Sequence, residues 1–343
     1  MGARRVQLGG LLRTARAGHA RARVLAIADS RGLVRSLFLA SASRTGLLDA
    51  LADGATFAEI AARVGRTRPE RLRAWLEVGT ELGEVARRSG RYRLRGIRAR
   101  AIAGGDTVLA AHYRSMLDYQ AGCYADLAGL LVSAPSEGRA DLDDYADDIA
   151  RVSLAATPFI ETYLTSVMAQ TRPARVLDVG CGTGVYARIV AGLSPQAQID
   201  GIDLAPSVID SARAEVRAAG LDDRIHLQAG DVRSWTPPTG AGYDLILLLN
   251  NIYYFPREER VALYRRLAGL LSRPGHLIVT TLAAPGSVAA AHLNFMLACQ
   301  TGAAALPRSG ELEADLAEAG FASIHAQPIV PTEPFLAVRA VRR

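Results

Sequence analysis

The run Arg175-Val-Leu-Asp-Val-Gly-Cys-Gly-Thr-Gly-Val-Tyr-Ala187 decides the fold of this chain. A short apolar strand carrying one carboxylate, Asp178, leads into Gly180, Gly182 and Gly184 and then into a helical pattern. Glycines at such a turn let the backbone bend tightly and let a ligand approach it closely. The spacing is G-x-G-x-G, whereas a dinucleotide fingerprint requires G-x-G-x-x-G with a pyrophosphate at the helix N-terminus. A phosphate beside the Asp178 carboxylate would be repelled, while the ammonium of an amino-acid moiety would be attracted. The segment therefore suits a nucleoside bearing an amino acid better than one bearing phosphates.

Downstream of this run the pattern alternates between strands and helices. Strands are predicted at Arg175–Val179, Gln198–Asp203, Ile225–Ala229, Tyr243–Leu249, His276–Leu282, Ser323–Gln327 and Pro334–Val341. Helices are predicted at Tyr186–Leu193, Pro206–Ala219, Glu258–Leu271 and Glu311–Ala319. Such alternation argues an α/β, doubly wound, mostly parallel seven-stranded sheet. The last two strands leave no room for a helix between them and read as an antiparallel pair. Asp203 closes the second strand, where a carboxylate accepts from ribose hydroxyls, and Asp231 follows the third, placed for an adenine amino group. Leu204 and Val232 are apolar residues suited to flank the base.

With Val176–Gly184, Asp203, Asp231 and the Asn250-Asn251 end of the fourth strand in view, residues 175–282 resemble a class I S-adenosylmethionine-dependent methyltransferase. The whole chain resembles the small-molecule O-methyltransferase family. That resemblance implies an N-terminal winged-helix dimerisation domain at 1–104, a helical linker or substrate lid at 105–170 and a Rossmann-like catalytic domain at 171–343. It implies S-adenosylmethionine as cofactor, held by Asp178, Gly180, Cys181, Gly182, Gly184, Asp203, Leu204, Asp231, Val232 and Asn250. It further implies a homodimer formed through the N-terminal domain and a secondary metabolite as acceptor.

One departure from the family bears on catalysis. A His-Asp-Trp run follows the fourth strand in that family, and its histidine deprotonates the acceptor hydroxyl. Here the segment is Asn250-Asn-Ile-Tyr-Tyr-Phe-Pro256, which puts Tyr253 near the histidine's place. Tyrosine, titrating near ~10, is a poor base at neutral pH. The candidate catalytic groups are Tyr253, Asn251 as an orienting hydrogen-bond partner, and His292 in the helix after the fifth strand. Amines, enolisable carbons, acidic phenols and carboxylates fit a site without the histidine at least as well as ordinary hydroxyls. Each of these groups also has a structural reading: Asn250 and Asn251 as turn caps, Tyr253 and His292 as packing. No cluster has metal-ligand spacing.

The N-terminal third differs in texture. Residues 1–34 read as a helix, followed by helices at about Ser36–Leu51, Phe57–Val64 (with Thr56 as N-cap) and Pro69–Leu82, then a hairpin around Ser89-Gly90. Three helices and a hairpin make a winged helix. Residues 1–100 carry 21 Arg against 8 acids, the remainder 19 against 26, and the chain has no lysine. Such a basic start admits nucleic-acid binding or an arginine-coated surface on a dimerisation module; with a catalytic domain downstream the second is preferred and nucleic acid is not expected. A regulator responsive to S-adenosylmethionine or a metabolite, a catalytically silent methyltransferase-like protein and, more weakly, a nicotinamide-dependent reductase remain as alternatives. Residues 106–170 read as helical, with a loop at Ser133–Gly138 and an acidic helix start at Asp141–Asp148. The N-terminus does not read as a secretion signal, no apolar run spans a membrane, and three scattered cysteines (Cys123, Cys181, Cys299) give no disulfide framework. A cytoplasmic protein is the expectation.

Overall fold

The computed structural model describes residues 10, 13, 14, 19–65, 68–133, 145–238, 240 and 242–343. The loop expected beyond Ser133, the first part of the acidic stretch from Asp141 and most of residues 1–18 lie outside them. The chain divides into two compact units, Met1–Tyr124 and Ala125–Arg343.

In the first unit a helix runs from Ala20 to Arg44 without a break at residue 35. The sequence pattern predicts a separate helix over about Ser36–Leu51. The interruption falls instead at Gly46, whose φ of 71° takes the left-handed conformation that ends a helix, and a short helix, Leu47–Leu51, follows. Thr56 caps the helix Phe57–Val64 in a capping box with Glu59, and Pro69 opens the helix Pro69–Glu81. Strands β1 (Ala55–Thr56), β2 (Val85–Arg88) and β3 (Arg91–Leu94) form a sheet of order β1-β3-β2, with β2 and β3 joined through Ser89 and Gly90, both at positive φ. Phe38, Leu39, Leu48, Ile60, Leu76 and Tyr92 lie in its core. Leu109 and Tyr113, from the helix Thr107–Ser115, pack into that same core, so this helix packs with the N-terminal residues in the first unit.

The second unit is built on seven strands: β4 (Arg175–Val179), β5 (Gln198–Asp203), β6 (Ile225–Ala229), β7 (Tyr243–Leu249), β8 (Leu271–Leu282), β9 (Ala322–Pro328) and β10 (Phe335–Arg342). Their order is β6-β5-β4-β7-β8-β10-β9. The first five run parallel, and β10 pairs antiparallel with both β8 and β9. The β4 and β7 strands are buried nearly throughout, as strands covered on both faces are. β8 starts five residues earlier than its apolar pattern suggests. Leu271 already pairs with Tyr243, and the register slips before His276 pairs with Leu245. Chain order reverses between β4 and β7, so the crevice above the carboxyl ends of β4, β5 and β7 is where an open sheet of this kind binds ligands. Among the described residues no helix is long and apolar enough to cross a membrane.

Candidate cofactor and acceptor site

A cavity of about 470 Å³ opens at that crevice, a size ordinary for small-molecule sites. Its floor is the turn from β4 into the helix Val185–Leu193. Gly180, Gly182 and Gly184 have φ of 68°, 52° and 70°, a left-handed succession that side chains resist. At Gly180 space is a second constraint: a Cβ there would lie 2.1 Å from Nδ2 of Asn251. The turn is tied to β5 by the Gly180 and Cys181 N–H groups, which donate to the Ile202 carbonyl at 2.7 and 3.1 Å. Cys181 is buried beneath it, and burial pushes its thiol far above the usual range. It is a packing sulfur and not a nucleophile.

The carboxylates sit at successive strand ends in different surroundings. Asp203 accepts from the Gly182 N–H at 2.9 Å and the Ala205 N–H at 3.1 Å, one on each oxygen, so its orientation is fixed while a lone pair on each oxygen remains. Asp231 is gripped by Arg233, which donates through its backbone N–H and Nε at 2.9–3.0 Å and through Nη2 at 2.8 Å. The hydrogen bonds and charge of Arg233 hold the Asp231 carboxyl below its ordinary range. Arg233 also reaches Glu259 at 3.1 Å. Asp178 is fully buried beneath the glycine turn, and its Oδ2 has no hydrogen-bond partner. Burial first, and the negative charge of Asp203 second, push it up to about 7, against a lowering contribution from the Ala187 N–H.

Val232 is buried and Leu204 largely exposed, and both line the cavity. Asn250 also lines it, at a φ of 56° held by its N–H donating to Thr280 at 2.9 Å. Asn251 donates from Nδ2 to the Val179 carbonyl at 2.5 Å, and its Oδ1 is buried without a donor. Tyr253 is buried against Tyr254, ring centroids 4.9 Å apart, and burial raises its phenol well above the usual range. His292 is half-buried on the helix Val288–Ala298, its imidazole pushed down by burial, and it is not among the residues lining the cavity.

Sequence reasoning passed over three contributors. Arg233 stands two residues after Asp231 and was readable as a neighbour. Tyr186 lies in the quoted run; its hydroxyl is 3.3 Å from the Thr157 hydroxyl, and burial pushes it up to about 12. Ile149, Ala150, Ser153 and Leu154, at and after the helix Ala146–Ser153, supply an apolar wall that nothing local in the sequence marks. Among the described residues no His/Cys/Asp/Glu group could hold a metal.

These residues fit S-adenosylmethionine: an oriented carboxylate for a ribose, apolar side chains for a base, and two orphaned buried oxygens, Asp178 Oδ2 and Asn251 Oδ1, that lack donors. Comparison with known proteins agrees. Residues 176–275 match the methyltransferase-domain family. The tRNA1(Val) (adenine(37)-N6)-methyltransferase of Yersinia pestis is 39% identical over 83 residues, 24% of this chain and 33% of that protein. The chain thus spans about a third of the length of the curated relatives it matches. The fold is shared with the mitomycin 7-O-methyltransferase MmcR (TM-score 0.77, 17% identity, covering 96% of this chain and 100% of that one). It is shared also with human N-acetylserotonin methyltransferase in complex with S-adenosylmethionine (TM-score 0.74, 18% identity, 94% and 98%). Residues 176–275 thus match a methyltransferase-domain family, in a chain that shares its fold with MmcR and with the human N-acetylserotonin enzyme.

Proposed function

We propose that this chain transfers the methyl group of S-adenosylmethionine to a small, apolar or aromatic secondary metabolite, chiefly by positioning. The observation that carries the reading is the convergence on one cavity of the glycine turn, the oriented Asp203 and Asn251 with its unpartnered Oδ1, above the buried Asp178. When bound, the cofactor supplies a methyl group already activated on a sulfonium. Asp203 offers its remaining lone pairs to the ribose hydroxyls. Asp231 serves the adenine amino group, with Leu204 and Val232 beside the base. The glycine turn and Asn250 border the amino-acid end, and Asn251 Oδ1 has a lone pair open to a donor there.

On the acceptor side the residues bind and orient. Tyr253, Tyr254 and Phe255 form an aromatic wall, and Ile149, Ala150 and Leu154 an apolar one. Tyr253 keeps its proton at neutral pH because burial disfavours its phenolate. No imidazole lines the cavity among the described residues. Holding an acceptor in line with the methyl group is worth on the order of 7–11 kcal/mol in favourable cases. Amines, acidic phenols, enolisable carbons and carboxylates fit such a site at least as well as ordinary hydroxyls. The whole chain's similarity to MmcR and to the human N-acetylserotonin enzyme supports a small-molecule acceptor. The tRNA enzyme matches only 83 residues of this chain, which is too little to carry its acceptor over.

We place the working form as a homodimer joined through the N-terminal unit. Supporting this, Val24, Leu25, Ile27 and Leu33 on the helix Ala20–Arg44 are exposed. Calorimetric titration with S-adenosylmethionine and S-adenosylhomocysteine tests the reading. Micromolar binding that Asp203→Ala abolishes, followed by a methylated product in an acceptor screen read by mass, is expected. Absence of binding by both ligands would overturn it.

A further inference from the structure

This inference rests on the cofactor reading just given. The Asp178 carboxyl, 1% exposed, is held by β4 beneath the glycine turn. Every element packed on it brings either a second negative group, a neutral one or none. Asp203 faces it from the end of β5, the Cys181 thiol from the turn and the Tyr186 hydroxyl from the helix Val185–Leu193. Its neighbour on β7 is the apolar Leu247. Among the described residues no arginine or histidine forms an ion pair with it, and the Ala187 N–H is the one donor that favours its charge. Two carboxyls thus stand close together at the strand ends, Asp203 bordering the cavity and Asp178 buried beneath the glycine turn. Asp203 has two backbone donors and borders the cavity, so Asp178 is the member that holds a proton near neutrality.

The two ligands of this site differ in charge. S-adenosylmethionine carries a sulfonium and an ammonium against one carboxylate, whereas S-adenosylhomocysteine has a neutral sulfur and no net charge. Only the first brings a surplus positive charge above a buried carboxyl that has no counter-ion, and Coulomb interaction there is weakly screened.

We propose that cofactor binding is proton-linked through Asp178: the buried carboxyl releases its proton to solvent as the positively charged S-adenosylmethionine enters the cavity, and retains it when S-adenosylhomocysteine is bound. The preference for cofactor over product then becomes a function of pH. It rises as pH approaches the range in which free Asp178 ionises unaided, and levels off above it. Turnover removes the sulfonium charge, so Asp178 takes a proton back from solvent and the hold on the product is no stronger than that of a neutral site.

The test is calorimetry on the full chain between pH 5.5 and 7.5, with each ligand, in two buffers of different ionisation enthalpy. Both ligands carry the same α-amino group, so its own titration cancels in the comparison. For S-adenosylmethionine the expected result is release approaching one proton per site at the acid end, with Kd falling up to about tenfold per pH unit. For S-adenosylhomocysteine little release and a shallow dependence are expected. In Asp178→Asn the two ligands should show the same shallow dependence. Equal proton counts for the two ligands in the wild type, or a steep cofactor dependence surviving in Asp178→Asn, would overturn the proposal while leaving the methyltransferase reading intact. Failure of both ligands to bind the wild type would overturn that reading itself. Should the variant not fold, the wild-type proton counts decide alone.

Discussion

At the scale of single residues the site is made of constraints that exclude alternatives. Gly180 is the sharpest, because its φ of 68° and the Asn251 amide against it each forbid a side chain. Gly180→Ala should therefore cost more than the ~1–2 kcal/mol of a left-handed alanine and displace Asn251 from the cavity wall. Thermal melts should fall, and calorimetry should show S-adenosylhomocysteine binding lost; an alanine variant that binds normally would refute the account of the turn. Gly180, Asp178 and Asp203 were legible in sequence because their chemistry is written in short spacings after strands. Tyr253 was not. Its position near the expected histidine was readable, but its burial comes from the core cluster that it shares with Val232, Ile252 and Leu297 and from the segment around residue 304, where the Ala304 N–H donates to the Tyr253 carbonyl. Nothing local announces contacts of that range. The unpaired Asn251 Oδ1 was invisible for the same reason, since only the fold shows that Nδ2 is spent on Val179 and that no donor reaches its partner atom.

At the scale of elements, the strands read almost to the residue where buried apolar runs end in Asp, Gly or Asn, as in β4, β5 and β7. Reading was weaker where a breaker was overruled, as at Pro274-Gly275 within β8. The helices of the second unit were equally legible, but not what one of them does. Arg260, on the helix Arg257–Leu270, is among the largest fully buried side chains of the described residues. It donates from Nε to the Phe255 carbonyl at 3.2 Å and from Nη2 to the Ala305 carbonyl at 2.7 Å. It thereby staples the aromatic segment 253–255 to the segment 302–305, and Tyr253, Tyr254, Phe255 and Gly302 all line the cavity. In sequence it is one arginine in a charged helix start, indistinguishable from Arg257, which is exposed. Arg260→Met should remove both hydrogen bonds and destabilise the unit by about 1–3 kcal/mol in total. The check is urea denaturation, together with faster amide exchange at Ala304. Unchanged exchange there would show that the staple does not hold the wall.

At the scale of the whole molecule, the structure carries two features that the separate elements do not explain. One is the helix Ala20–Arg44, whose first half buries no large apolar residue in its own unit while exposing Ile27 at 72%. If a second copy covers that face, Ile27→Glu combined with Leu33→Glu should shift the light-scattering mass from dimer to monomer, and a dimer unmoved by both changes would place the interface elsewhere. The other is acidic chemistry held against its preference. A carboxyl in an unfolded chain titrates near ~3.9, whereas Asp178 in the folded protein is held up to about 7. Between these values the native state binds a proton that the unfolded state does not, so the protonated carboxyl favours folding at acid pH. That contribution is lost as pH rises from about 4 toward 7 and stays lost above it. Asp178→Asn keeps the shape and cannot ionise. In the absence of ligand, the variant's stability relative to wild type should therefore climb through this window, by up to about 1.4 kcal/mol per pH unit, and level off above pH 8. Denaturation curves for the two proteins at pH 5, 6, 7 and 8 measure the difference, and the comparison cancels every other titrating group that the substitution leaves alone. A gap that does not widen between pH 5 and 7 would mean that Asp178 is already ionised in the free protein, with Asp203 or solvent bearing the balance. A widening gap that saturating S-adenosylmethionine narrows would show the same carboxyl setting both the stability of the free protein and the charge that its cavity accepts.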